Sequence, residues 1–276
     1  MGWQLKVTIY TSQANWKKHY LELRSNKYSQ DDAFSIMYIF WRNFMKNIKH
    51  YLLGIFLLFS ASSYAEVAEV YQWKAFPGKS QDMLVNMSKA AEIHKAQGAQ
   101  VSINAHNIGS TQLVDYVVRW DNSKDYAKGK DLQASSEAWV QFWADANTNP
   151  SGELVASFAG NNLDQSKKAS DFNGSYVYSV SIWEVETGKD MQLIQAFMES
   201  KSILEDTGAR VEIYQGNWGA PGQYHYVLLY DSWVALENSF AQLNAPGSDW
   251  LKMQQRRMSD APSGKQIAFF TGSTLN

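Results

Sequence analysis

Three histidines follow residue 65, and each stands where an imidazole could do chemistry: His94, His106 and His225. A neutral imidazole can act as a general base or ligate a metal near pH 7. His94 lies seven residues beyond Met87 and three beyond Ala91, so it shares the apolar stripe of a helix. It reads either as a hydrogen-bonded core histidine or, in a cleft between sheet and helix, as a catalytic base or haem ligand. His106 belongs to an alternating segment: Ser102, Asn104 and His106 take one face, and Val101, Ile103 and Ala105 the other. Asn104 and His106 form a second candidate pair, polariser and base. The matching segment downstream presents Arg210, Glu212 and Tyr214 on the corresponding face. If these faces turn inward, Asn104, His106, Glu212 and Tyr214 line one polar cavity, and His225 joins Glu212 and Tyr214 as a ligand-binding candidate. If they turn outward, the same residues are solvated sheet surface.

The chemistry that the sequence excludes is equally informative. The chain has no cysteine, so disulfides, thiolate nucleophiles and Cys-based zinc or iron–sulfur sites are absent. The histidines lack paired helical spacing, which argues against a dedicated metal site. Nucleophile-elbow, P-loop and dinucleotide-binding fingerprints are missing, and no cofactor is expected. From Glu66 onward, seventeen Lys and Arg face twenty-four Asp and Glu, a net charge of −7, whereas the whole chain carries −2. An acidic chain without a basic stripe is a poor nucleic-acid partner.

The elements that must position these residues are written twice. At an offset of about 110, Trp73 meets Trp183, Gly98-Ala99 meets Gly208-Ala209, Tyr116-Val117 meets Tyr226-Val227, and Asp121 meets Asp231. A fixed-period match marks two copies of one folding unit. In the first copy, residues 69–76 read as a strand, followed by a helix capped by Ser80 or Asp82 and stopped at Gly98. Residues 101–108 and 112–120 form a hairpin, 121–129 a polar loop, 132–146 a helix, and 154–159 a last strand. Asp121 and Asp231 read as turn or cap residues. The second copy repeats the order, with a helical region at 233–258 interrupted at Pro246-Gly247. The series β-α-β-β-α-β is the ferredoxin-like unit. Its sheet has helices on one face only, so the other face needs cover, and each copy can supply it to its sibling. The expected fold class is therefore α+β: tandem ferredoxin-like units packed sheet to sheet as a pseudo-twofold barrel.

With this element order, the duplication and the helix-ending glycines Gly98 and Gly208, the stretch from Val70 to about Thr271 resembles the dimeric α+β barrel superfamily, of the antibiotic-biosynthesis-monooxygenase and NIPSNAP-like kind. The resemblance implies a site in the sheet–helix cleft or the barrel lumen. It also implies a choice among cofactor-independent oxygenases, haem-handling enzymes, isomerases and proteins without an activity. Fold alone does not make that choice.

Residues 45–65 read as a secretory signal peptide: Lys46, Lys49 and His50, then an apolar run from Leu52 to Phe59, then Ser63-Tyr64-Ala65. The run is short of the roughly 20 apolar residues of a membrane span, although an uncleaved anchor is the alternative. Residues 1–44 read as an upstream extension outside the natural product, or as a cytoplasmic segment ahead of a signal-anchor. The expected domains are 66–160, a linker at 161–174, and 175–276. The expected product is an exported, periplasmic or secreted monomer without stable membrane insertion. It would bind a small apolar or aromatic molecule, the alternatives being a cofactor-independent monooxygenase and a haem binder.

Overall fold

The computed structural model describes residues 65–275 except residue 111. The upstream extension and all of the proposed leader but its last residue, Ala65, lie outside these residues. The strands are β1 (Val67–Ala75), β2 (Gln100–Ile108), β3 (Leu113–Trp120), β4 (Gly152–Asn162), β5 (Val177–Val185), β6 (Arg210–Gly216), β7 (Gln223–Tyr230) and β8 (Gly264–Thr274). The helices are α1 (Ser80–Ala96), α2 (Ser123–Ala134), α3 (Glu137–Thr148), α4 (Asp190–Glu205), α5 (Trp233–Leu243) and α6 (Asp249–Arg257). The series β-α-β-β-α-α-β thus runs from Val67 to Asn162 and again from Val177 to Thr274. None of the described helices is long and apolar enough to cross a membrane.

All eight strands close into one antiparallel ring, in the order β1-β3-β2-β8-β5-β7-β6-β4 and back to β1. Ring closure removes most of the edge that an open sheet would expose. The two halves join at two seams, β4 on β6 and β8 on β2. Asn107 and Asn217 serve these seams. Asn107 accepts from the Ser273 hydroxyl at 3.2 Å, and Asn217 donates to Asn161 at 2.9 Å. Gly109 and Gly219 are fixed by the same closure. Both have positive φ, and an added Cβ would lie 2.5 Å from the carbonyl oxygen of Phe269 or Ser157 on the facing strand.

Alternation along each strand sends one set of side chains to the helices and the other into the lumen. Val67, Tyr116, Val118 and Trp120 pack beneath α1 in the first half, and Val177, Val211, Ile213 and Tyr226 beneath α4 in the second. Tyr178, Val180, Tyr214, Leu229 and Phe270 meet in the lumen.

Several local expectations are corrected. Residues 123–134 form α2, where a loop was expected, and the expected helix at 132–146 is split between α2 and α3. A polar sequence makes a helix there because Asn122 caps it, accepting from the amides of Lys124 and Asp125. Ser232 caps α5 likewise. The caps are therefore the residues after Asp121 and Asp231, and the Asp121 carboxylate instead accepts from Ala169 N at 2.9 Å. α1 has no side-chain cap; Lys79 bonds Asp82 at 2.8 Å.

The segment 161–174 does more than join the halves. It closes one end of the barrel. Phe172 is buried between two guanidinium groups, with Arg119 4.0 Å and Arg210 4.6 Å from its ring centre. Beside it, Arg119 pairs with Glu66 at 2.8 Å, and the Asn162 amide donates to both Glu66 and Glu212. Lys167 and Arg210 complete the charge on Glu212 at 3.3 and 3.1 Å. A buried carboxylate persists only when paired in this way.

Candidate functional site

The residues that alternation sends toward α1 and α3 do not fill the space they enclose. A cleft of about 360 Å³ remains between sheet and helices in the first half. Its sides are Trp73 from β1, Met83 and Met87 from α1, and Trp139, Phe142 and Trp143 from α3. The α3 rings pack against one another, Trp139 on Phe142 at 5.2 Å and edge-on to Trp143 at 5.8 Å. α3 buries none of its side chains, so this aromatic wall is half open to solvent.

At the closed end stands His94, 3% exposed. Its Nδ1 lies 2.7 Å from the Tyr116 hydroxyl, and its Nε2 lies 2.9 Å from the Gln133 amide nitrogen. With that amide donating, Nε2 is the acceptor and the ring proton sits on Nδ1, directed at Tyr116. The Tyr116 hydroxyl hydrogen is then available to a molecule in the cleft. Burial, reinforced by the nearby Lys130 charge, lowers the His94 pKa from 6.5 to about 4, so the ring is neutral near pH 7. Burial pushes the Tyr116 phenol up. Tyr71 closes the floor, donating to Glu69 at 3.1 Å and accepting from Lys130 at 3.2 Å; burial and then the Glu69 charge raise its pKa.

The other predicted site residues lie on the opposite face of the sheet. Asn104, Tyr214 and His225 line a lumen cavity of about 80 Å³. His106 does not share it. Its Nε2 is 2.8 Å from Asp115, and its ring stacks on Phe270 at 4.1 Å. Glu212 is held in the barrel-end ion network. The expected single cavity is therefore divided, with Asn104 and Tyr214 inside it and His106 and Glu212 tied up beside it. His94 and the Asn104–His106 pair cannot act on one molecule, because the sheet separates them.

Haem ligation through a histidine does not fit this arrangement. His94 Nε2 would have to give up Gln133 and its cleft of about 360 Å³ would have to widen, His106 is committed to Asp115, and His225 faces a space far smaller than a porphyrin. Among the described residues, no group of three His, Cys, Asp or Glu side chains could hold a metal ion.

Sequence reading missed Tyr71, Gln133 and Lys130. Tyr71 had a signal: at the 110-residue offset it stands opposite Ser181, just as Met87 stands opposite Phe197 and His94 opposite Leu204. Gln133 had none: it fell within the expected helix at 132–146, and no pattern set its distance from His94.

No protein-family model and no curated protein match the chain. Solved structures do. A "Putative monooxygenase" from Fusobacterium nucleatum is 11% identical at a TM-score of 0.51, covering 77% of this chain and 93% of its own. An anthrone oxidase-like protein is 12% identical at 0.49, covering 78% and 93%. A "Putative Chlorite dismutase" is 10% identical at 0.48, covering 77% and 95%. The likeness is one of fold alone.

Proposed function

We propose that the first-half cleft holds a small, largely apolar or aromatic molecule, and that the protein is an exported binding or accessory protein built by internal duplication. The observation that carries this reading is the cleft itself. It falls in the size range of small-molecule sites, with aromatic sides and a few convergent polar groups. The guest's ring would pack between Trp73 and the α3 aromatics. An acceptor on it would take the Tyr116 hydroxyl hydrogen, and a donor would reach His94 Nε2 once Gln133 moves aside. Mass spectrometry of small molecules co-purifying with the protein expressed from Met45 tests this. The same compound recovered undiminished from a Met87→Phe/His94→Leu variant, whose cleft is filled as in the second half, overturns it.

The duplication is supported by matched backbone as well as matched residues, with Gly98 and Gly208 at φ 93° and 91°. Duplicated positions should accept each other's residues as sets and reject them singly, which the Trp120–Gly129 exchange described below measures. Export is tested by the intact mass of the natural product, which should begin near Glu66.

A second reading, cofactor-independent oxygen chemistry on a phenolic guest, rests on the neutral His94 hydrogen-bonded to Tyr116. Oxygen uptake that survives His94→Leu unchanged would remove His94 from it.

A further inference from the structure

The lumen presents a separate problem from the cleft. Buried polar atoms in folded proteins nearly always have a hydrogen-bond partner. Four residues lining the lumen cavity break that rule: Asn104 Oδ1, Arg119 Nε, Tyr176 Oη and His225 Nε2 are buried and unpartnered. Asn104 and His225 are 5% and 6% exposed. Leaving one such group unsatisfied costs about 1–3 kcal/mol, so four around one cavity call for a partner inside it. The half-to-half offset shows one source. His106 is held by Asp115 in the first half, whereas the matching pair in the second is Gly216 and His225. With no side chain on Gly216, His225 has lost its counterpart and faces the lumen with Phe158 at 4.5 Å as its ring neighbour.

The four atoms also describe what would satisfy them. Arg119 Nε–H and the Tyr176 hydroxyl are donors. Asn104 Oδ1 is an acceptor, and the uncharged His225 ring offers an acceptor nitrogen. The charged side chain lining the cavity, Arg119, is already paired with Glu66 at 2.8 Å. An added ion would therefore be buried without a counter-charge of its own. The rest of the wall is mostly apolar, with Val70, Val117, Val180, Val227 and Phe270 beside the rings of Tyr178 and Tyr214. We propose that the barrel lumen is a second binding site, distinct from the cleft, for a small uncharged molecule carrying both a carbonyl-type acceptor and an N–H or O–H donor, of the primary amide class. About 80 Å³ admits only a few heavy atoms.

The test uses the full chain with histidine ring labels and acetamide as the probe, with acetate and methylammonium as charged counterparts of similar size. The His225 resonance, assigned by its loss in His225→Phe, should shift saturably with acetamide and not with either ion, while the His94 resonance stays still. Tyr176→Phe keeps the ring and removes one donor, and should weaken acetamide binding roughly tenfold, the effect of about one hydrogen bond. No saturable His225 shift, an equal response to the ions, or a lumen holding only ordered water in a crystal grown with acetamide each overturns the proposal. The overturning results are all read in the lumen and the His94 resonance reports on the cleft, so the two sites succeed or fail separately.

Discussion

The two halves share a strand order and differ in what their helices do with it. In the second half, Phe197 occupies the position of Met87, Leu204 that of His94, and Ser181 that of Tyr71. Phe197 packs at 5.8 Å from Trp183 and 5.0 Å from Tyr226, and α5 and α6 bury Leu236, Leu243 and Met253. In the first half the same space is a cleft, and α3 buries nothing. A void forfeits dispersion contacts along its lining. One half therefore forms a dense core, and the other gives up packing for a site. The comparison teaches that the ring sets where a pocket can lie, and that a few helix-facing side chains decide whether one exists.

The largest expected effect breaks the dense half. Phe197→Ala should cost about 3–5 kcal/mol in denaturant unfolding, with a new cavity able to take up small apolar molecules. Met87→Ala should cost less, since its site is already partly hollow. Equal losses would mean that the halves are packed alike.

pH comes next. Burial lowers both His94 and His225 from 6.5 to about 4. The unfolded chain then takes up protons that the folded chain refuses, so stability is complete above about pH 6.5 and falls as pH drops toward 4. Each histidine contributes roughly 3 kcal/mol across that window. His94→Leu should remove about half of the dependence measured by urea titration at a series of pH values. An unchanged pH profile in that variant would show that His94 protonates freely.

Filling the cleft sharpens the comparison from the other side. Met87→Phe/His94→Leu should weaken binding of the co-purifying ligand on the order of a hundredfold, with thermal stability retained or raised. The smallest effect lies where the halves exchange volume between partners. Trp120 is matched by Tyr230, and Gly129 by Ser239. A Cβ on Gly129 would fall 2.0 Å from the Trp120 ring, whereas Ser239 hydrogen-bonds the smaller Tyr230 at 3.2 Å. Gly129→Ser alone should destabilise by about 1–3 kcal/mol, and Trp120→Tyr added to it should recover most of the loss. Additive losses would show that the two positions are not interchangeable as pairs.

Much of this was open to reading in the residues. The alternation of 101–108 and the doubled register give the strands, the hairpins and the shared faces that carry Asn104 and Tyr214, while leaving open whether those faces turn inward. Helix-stopping glycines fix where α1 and α4 end. α2 was hidden because its sequence is polar and its signal is a single Asn cap. The capture of His106 by Asp115, and of Glu212 by Asn162, Lys167 and Arg210, was hidden for another reason. These partners come from strands or connectors that pattern reading places on the correct face without setting their distance.

By itself the sequence determined the α+β class, the repeat of strand and helix order, and the sidedness of each strand, because period and punctuation are local properties of the chain. Only the tertiary structure decided that the eight strands close into one ring through the β4–β6 and β2–β8 seams. It alone separated His94 from Asn104 by the thickness of a sheet, and left a cleft in one half while filling it in the other. Those outcomes depend on how side chains from distant segments share a fixed volume, and no local pattern records that sum.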